Sequence, residues 1–145
     1  MITINLSFLL IQRLEKDALT GVLNRATLAP ELARIKEELN HKGENKKYPV
    51  QSVMLIFLDL KEFKKLNDMH GHAVGDKALV KFTTALKMAI KRNDMVFRVG
   101  GDEFLAVLPI NNKTTVALGN IFNRIKDKLG NMSVMGAFNQ EVLFN

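Results

Sequence analysis

Three acidic side chains stand where folding can bring them beside bare backbone. Asp59 closes the apolar run Val53-Met-Leu-Ile-Phe-Leu58. A carboxylate at the mouth of a buried strand is a frequent place for a site residue, and a turn or helix N-cap aspartate is an equal alternative. Asp102 and Glu103 lie in Arg98-Val-Gly-Gly-Asp-Glu-Phe104, directly after Gly100 and Gly101. Glycines at a hairpin tip carry no side chain and permit positive φ, so a large ligand can lie against the backbone there. Successive strand residues face opposite ways, which would give the two carboxylates different tasks. On these dipeptides alone, an ordinary solvated hairpin turn is the simpler account. His70 and His72 form a His-x-His pair of the kind that binds zinc, but zinc needs further ligands. With no third ligand in view, His72 reads as shaping a loop before Asp76.

The elements that must position these groups follow from periodicity. Leu6, Leu9, Leu10 and Leu14 recur at helical spacing over about 6–16, and Leu28, Leu32, Ile35 and Leu39 do so over about 27–41. Pro30 is expected in the first turn of that second helix, where proline is tolerated. The polar run Lys42 to Lys47 is a loop by composition. Val53–Leu58 reads as a strand buried on both faces. A short helix is expected over 62–69, with Phe63 and Leu66 inward, then a loop bracketed by Gly71 and Gly75. A longer helix over about 76–92 carries Leu79, Phe82, Leu86 and Ile90 on one face. Met95–Val99 and Glu103–Leu108 read as a hairpin joined by the two glycines, with Pro109–Asn112 as a turn. A helix over 115–129 buries Val116, Ile121, Phe122, Ile125 and Leu129, and a last strand runs over about 131–137. Helices alternating with a hairpin-containing sheet indicate an α/β sandwich whose sheet is mixed or antiparallel.

A chain of 145 residues suits one domain with a sizeable core. The 21 Lys and Arg exceed the 15 Asp and Glu by six, which favours anionic partners. These cations are scattered, as in Lys61, Lys64, Lys65, Lys87, Lys91, Arg92, Arg124, Lys126 and Lys128, and much of the charge reads as a solvated face. No arginine-rich tract or aromatic ladder marks a nucleic-acid groove. The lack of cysteine removes disulfides and thiolate metal sites, and it fits a cytoplasmic location. The start of the chain is apolar but lacks the basic lead and small-residue cleavage site of a signal peptide. It also falls short of the roughly 20 apolar residues of a spanning helix. Residues 1–16 are therefore expected to form a helix or linker that docks on a sensor or another partner protein.

The longer strings add a family resemblance. Gly-Gly-Asp-Glu-Phe104, preceded by Arg98, resembles the signature of the GGDEF family, the diguanylate cyclases. Asp17-Ala-Leu-Thr-Gly-Val-Leu-Asn-Arg25 resembles the entry motif of that domain. Asp59-Leu-Lys-Glu-Phe-Lys-Lys-Leu-Asn-Asp-Met-His-Gly-His72, followed by Gly75-Asp76, resembles its metal and guanine motif. The resemblance covers about 17–137. It implies a palm-like α/β sandwich with a central mixed, largely antiparallel sheet flanked by helices. It implies Mg²⁺ or Mn²⁺ held by Asp59, Asp102 and the Leu60 carbonyl, since hard oxygen donors suit such ions. Glu103 would be a further metal ligand or would activate the ribose hydroxyl. Asn67 and Asp76 would read the guanine edge, where an amide can donate and accept and a carboxylate accepts from N–H groups. Gly100 and Gly101 would let the nucleotide approach the backbone, and the amides near Glu62, Phe63 and Lys64 would take phosphate oxygens at a helix start. The implied reaction joins two GTP into cyclic di-GMP and releases two pyrophosphates, each of two facing domains supplying half the site.

The chain departs from the family pattern in four places. Lys61 stands where a second acidic residue is usual. Lys91-Arg-Asn-Asp94 occupies the register of the Arg-x-x-Asp inhibitory site for product. Lysine lacks the guanidinium fork, so Lys91 and Asp94 form at most a degenerate site, with Arg92 as a stand-in and product inhibition weak or absent. Val99 replaces a tyrosine. Finally, Asn139-Gln-Glu-Val-Leu-Phe-Asn145 resembles neither the family's last helix, which bears two phosphate-binding cations, nor its final strand, so 17–145 reads as a shortened domain. A cyclase is expected first. A module that binds GTP or cyclic di-GMP without turnover is the alternative, and a nucleic-acid-binding or scaffold fragment is disfavoured.

Overall fold

The computed structural model describes residues 6–40, 50, 52–110, 115–130 and 133–138. Its elements are α1 (Leu6–Glu15), β1 (Leu23–Asn24), α2 (Arg25–Asn40), β2 (Ser52–Leu60), α3 (Phe63–His70), α4 (His72–Ala89), β3 (Met95–Arg98), β4 (Glu103–Ile110), α5 (Thr115–Leu129) and β5 (Ser133–Phe138). The strands form one sheet in the order β1-β3-β4-β2-β5. β1 runs parallel to β3, and every other pairing is antiparallel. The expected mixed, largely antiparallel sheet flanked by helices is what this chain forms.

Strand alternation divides the core into two layers. Even-numbered residues of β2 and β4 (Met54, Ile56, Leu58, Leu60, Phe104, Ala106, Leu108, Ile110) pack with Leu79, Phe82 and Leu86 of α4 and with Ile125 and Leu129 of α5. Odd-numbered residues Val53, Leu105 and Val107 join Phe97 and Ile35 beneath α2, with Leu28, Leu32 and Leu39 packed against them. Phe82 and Phe104 are fully buried, their ring centroids 5.1 Å apart in a tilted arrangement. Burying such a side chain contributes about 1.5–3 kcal/mol.

Several boundaries differ from the sequence reading, each for a local reason. α2 begins at Arg25 because Asn24 Oδ1 accepts the Thr27 N–H at 3.1 Å, the bond of an N-cap to the third helical residue. Pro30 therefore lies in the second turn, past the position where it was expected. The short β1 pairs Leu23 and Asn24 with Phe97 and Arg98 and is too brief to show a period. Gly71 and Gly75 do not bracket a loop. Gly71, at φ 87°, both ends α3 and starts α4, so His72 opens the helix and Gly75 is buried within it. β2 is not buried on both faces throughout, since Phe57 is 45 % exposed on the odd face. Pro109 and Ile110 continue β4 opposite Val53 and Ser52, where a turn was expected. The readings for Lys42–Lys47, His41, Asn111–Asn112, Asn131 and Asn139–Asn145 lie outside the described residues, as does the burial expected for Val116.

Replacing Phe104 with Ala removes a ring that joins sheet and α4, and it should cost about 3–5 kcal/mol of stability. Denaturant unfolding checks this through a lowered midpoint with an unchanged slope.

Candidate functional site

β2 and β4 run together for eight paired positions, from Ser52↔Ile110 to Asp59↔Glu103. The last pair sets two carboxylates directly across from one another on the odd face, at the open end of the ladder. Like charges in that relation repel. Asp102 lies in the turn before β4, half-buried, and its carbonyl accepts the Leu60 N–H at 3.3 Å. Asp102 is thus a turn residue, and the expected opposite-face relation to Glu103 along one strand does not apply to it. Leu60 itself is buried in the main core.

The electrostatics follow from this crowding. The Asp59 carboxyl is pushed above its ordinary range by partial burial, by the charge of Asp102 and a side-chain hydrogen bond with it, and by the charge of Glu103. Asp59 is exposed, so the neighbouring carboxylates act on it more strongly than burial does. Among the described residues no three His, Cys, Asp or Glu side chains form a ready cation cage. His70 and His72 are exposed and join none.

The two glycines of the signature turn differ. A Cβ on Gly100 would lie 3.1 Å from Glu103 Cβ and closer still to its carboxylate, whereas a Cβ on Gly101 would meet nothing within 4 Å. A side chain at Gly100 would press on Glu103, and Gly101 is the bare spot. Neither uses the positive φ that glycine permits at such a tip. Val99 and Gly100 both donate to the Glu103 carbonyl, at 2.9 and 3.2 Å.

Beyond β2 the chain turns through Lys61 and Glu62 into α3. Glu62 sits in the left-handed region at φ 55° and makes no side-chain cap. The first backbone acceptor bond of the helix runs from the Leu66 N–H to the Glu62 carbonyl at 3.0 Å. The amides of Phe63, Lys64 and Lys65 precede that bond, so they have no intrahelical acceptor. The Phe63 ring packs on the core and leaves only its backbone for a ligand, while Lys64 is exposed. Asn67 of α3 presses against Gly75 of α4, and a Cβ on Gly75 would strike the Asn67 carboxamide. Asn67 Oδ1 is buried there with no hydrogen-bond partner. Asp76, the next residue along α4, is exposed.

Lys91 and Asp94 lie apart from the carboxylate corner. Asp94 Oδ2 accepts the Lys91 N–H at 2.7 Å, and the Asp94 N–H returns to the Lys91 carbonyl at 3.1 Å. Burial pushes the Asp94 carboxyl up, partly offset by the Lys91 N–H and by the charges of Arg124 and Lys91. A cleft of about 520 Å³ is lined by Lys91, Arg92, Asp94, Pro109, Asn120 and Arg124, among others. A second, of about 430 Å³, shares Arg92, Asp94 and Pro109 and adds Arg34 and Glu38. Neither cleft includes Asp59, Asp102 or Glu103, so the concave surface and the acidic corner lie at different places. Arg124 is the cleft residue that the sequence reading left among scattered charges. Its signal was helical spacing, since Ala117, Asn120, Ile121 and Arg124 all line the cleft.

The family model for the diguanylate cyclase GGDEF domain matches residues 14–136. The chain belongs to the GGDEF family. It is 39 % identical over 92 residues to the probable diguanylate cyclase DgcJ of Escherichia coli strain K12, a match covering 63 % of this chain and 17 % of that protein. It is 34 % identical over 113 residues to the cyclic di-GMP phosphodiesterase PdeR of the same strain, covering 78 % of this chain and 15 % of the relative. The crystal structure of the diguanylate cyclase SiaD of Pseudomonas aeruginosa, in complex with its activator SiaC, superposes with a TM-score of 0.72 at 30 % identity, covering 97 % of this chain and 55 % of SiaD. The chain thus spans less than a fifth of these two curated relatives. No helix among the described residues of this GGDEF chain is long and apolar enough to cross a membrane.

Two outcomes follow. A raised carboxyl pKa means that ionising Asp59 costs stability as pH rises through the folded value. Asp59→Asn should therefore raise the melting temperature of metal-free protein at neutral pH, with the gain shrinking as pH falls toward the carboxylate range; an unchanged or lowered value at neutral pH would contradict the crowding. Gly75→Ala should cost about 1–3 kcal/mol through the clash with Asn67, read as a lowered denaturation midpoint.

Proposed function

We propose that the chain is a diguanylate cyclase domain, with residues 1–16 as an N-terminal helix and linker and 17–145 as the domain. The observation that carries this is the convergence of Asp59, Asp102 and Glu103 at the end of the β2–β4 ladder in a chain of the GGDEF family. The crowded carboxylates fit a divalent cation, Mg²⁺ or Mn²⁺: Asp59 and Asp102 would hold it with the Leu60 carbonyl, and the nucleotide's phosphates would complete the shell. Bound there, such an ion would neutralise the corner and would supply charge stabilisation at the phosphate and a lowered pKa for the attacking hydroxyl.

The residues of the chain supply binding and orientation. The unpaired amides of Phe63 and Lys64 receive phosphate oxygens at the start of α3. Asn67, at the seam of α3 and α4, and the exposed Asp76 read the guanine edge, the carboxylate accepting from its N–H groups. Gly101 leaves room for the nucleotide against bare backbone. Glu103 takes the proton of the 3′-hydroxyl of the second GTP as that oxygen bonds to the α-phosphorus of the first, and the bond to pyrophosphate breaks. A second copy of the domain presents that second GTP. α1, whose Leu6, Leu10 and Leu14 are 71, 54 and 76 % exposed, offers a stripe for pairing or for a sensor or activator; SiaD is crystallised with its activator.

A second reading, a GGDEF domain that holds GTP or cyclic di-GMP without turnover, is favoured by the match to PdeR, whose name is that of a phosphodiesterase. Purified protein incubated with GTP and Mg²⁺ separates the two. Cyclic di-GMP and pyrophosphate should rise more than linearly with protein concentration, and Asp59→Ala or Asp102→Ala should cut the rate by at least about a hundredfold. Metal-dependent GTP binding with no product at any concentration would favour the second reading. Unchanged GTP binding in both variants would remove the site assignment.

A further inference from the structure

Arg98 sits on β3, one residue before the turn, with its side chain only 18 % exposed. Nε and Nη2 donate to the Gly101 carbonyl at 3.1 and 2.6 Å. Nη1 reaches both oxygens of Asp17 at 3.2 Å. One planar group thus grips the tip of the turn while being gripped by the entry motif. Asp17 is itself oriented by the Thr20 N–H at 2.9 Å and the Thr20 hydroxyl at 2.6 Å, and Lys87 Nζ donates to the Thr20 carbonyl at 3.1 Å. Burial pushes the Asp17 carboxyl up, but the Thr20 bonds and the Arg98 charge outweigh it and hold the group below its ordinary range. It therefore stays ionised at neutral pH and releases the guanidinium only as pH falls through that lowered value.

The carbonyl that Arg98 holds matters because of the peptide it belongs to. The Gly101 carbonyl and the Asp102 nitrogen share one rigid plane. On its far side, the Asp102 carbonyl accepts the Leu60 N–H. Asp102 is thus strung between two anchors, one on β2 and one on Arg98. At Gly101 itself no neighbouring atom lies within 4 Å of where a Cβ would stand, so side-chain packing contributes nothing there.

We infer that Arg98, aimed by Asp17, is a positioning residue that fixes the Gly100–Asp102 turn and so sets Asp102 against Asp59; the inference rests on the cyclase reading above. The geometry of the carboxylate corner then depends on a contact made 81 residues earlier in the chain, two residues past the end of α1. An ion pair that merely stabilised the fold would need the Asp17 contact alone. The paired donation to Gly101 is the part that calls for a guanidinium, since lysine cannot offer two edges at once.

Arg98→Lys in the full chain is the test, with Asp17→Asn as the second variant should the first fail to fold. Two readouts are taken: hydrogen exchange of the Leu60, Val99 and Gly100 amides, which bond across the turn, and GTP turnover against Mg²⁺ concentration. The expected result is exchange about tenfold faster at those amides, with the distant core of α4 unchanged. A kcat about tenfold lower, a higher Mg²⁺ requirement and a lesser change in KM for GTP should accompany it. Exchange within about twofold of wild type, together with unchanged kcat, would overturn the proposal. Should wild-type protein yield no product, the cyclase reading fails by itself and exchange alone decides: faster exchange upholds the anchoring of the turn, unchanged exchange overturns it.

Discussion

The register between β2 and β4 is the constraint from which the rest of the molecule follows. Pairing Leu58 with Phe104 places both in the main core, and the next step of the same ladder pairs Asp59 with Glu103 at the rim. A slip of one residue would exchange the two faces, setting the residues that pack on α4 and α5 against α2 instead, so packing of the ladder dictates where the carboxylates stand. Their repulsion is tolerated because it is local, whereas the apolar layers extend the length of both strands. Sites that hold like charges together commonly trade stability for function in this way.

The helices then complete the corner through contacts that replace ordinary capping. Gly71 lets α3 stop and α4 start on a single residue, which brings Asn67 against Gly75 and leaves a buried carboxamide oxygen unpaired. A buried unpaired acceptor costs about 1–3 kcal/mol, and a packing role alone would have been met by an apolar side chain of similar size. On the opposite flank, the Asn24 side chain donates to the Leu14 carbonyl and the Thr27 hydroxyl to the Glu15 carbonyl, so the end of α1 is satisfied by the start of α2.

Much of this was legible in the residues. The apolar periods of α2, α4 and α5 identified the faces that bury Ile35, Phe82 and Leu129, and the motif strings named the acidic residues that the fold brings together. The failures have physical causes. β1 is two residues long and owes its existence to β3. Pro109 reads as a breaker, yet it continues β4 beyond β3, whose pairing with β4 ends at Val107, and the facing Val53 keeps it in register. Gly75 reads as loop because glycine is a poor helix former, whereas it is helical because a neighbour needs the space. The Gly100–Gly101 pair permits a positive-φ turn that neither residue uses, and what distinguishes Gly100 is the closeness of Glu103. In each case a tertiary contact overrode a local preference.

The separation of the clefts from the carboxylates bears on how such a domain would work. The cleft beside Arg124 is bounded on one side by β4 and on another by α5, while Asp59 and Glu103 are both exposed at the end of the sheet. In water, charges at an open rim are heavily screened, and preorganised groups stabilise a reacting phosphate far better once solvent is displaced. A single copy, on the proposed cyclase reading, would offer its nucleotide-holding groups on one side only: the α3 amides, Asn67 and the acidic corner. On the proposed cyclase reading, the missing wall is a second copy carrying its own nucleotide, and closing the two together would both exclude water and supply the attacking hydroxyl. On that reading an exposed acidic corner is not an unfinished pocket but half of one, and the exposed Leu6, Leu10 and Leu14 of α1 would be a surface with which to bring the other half near.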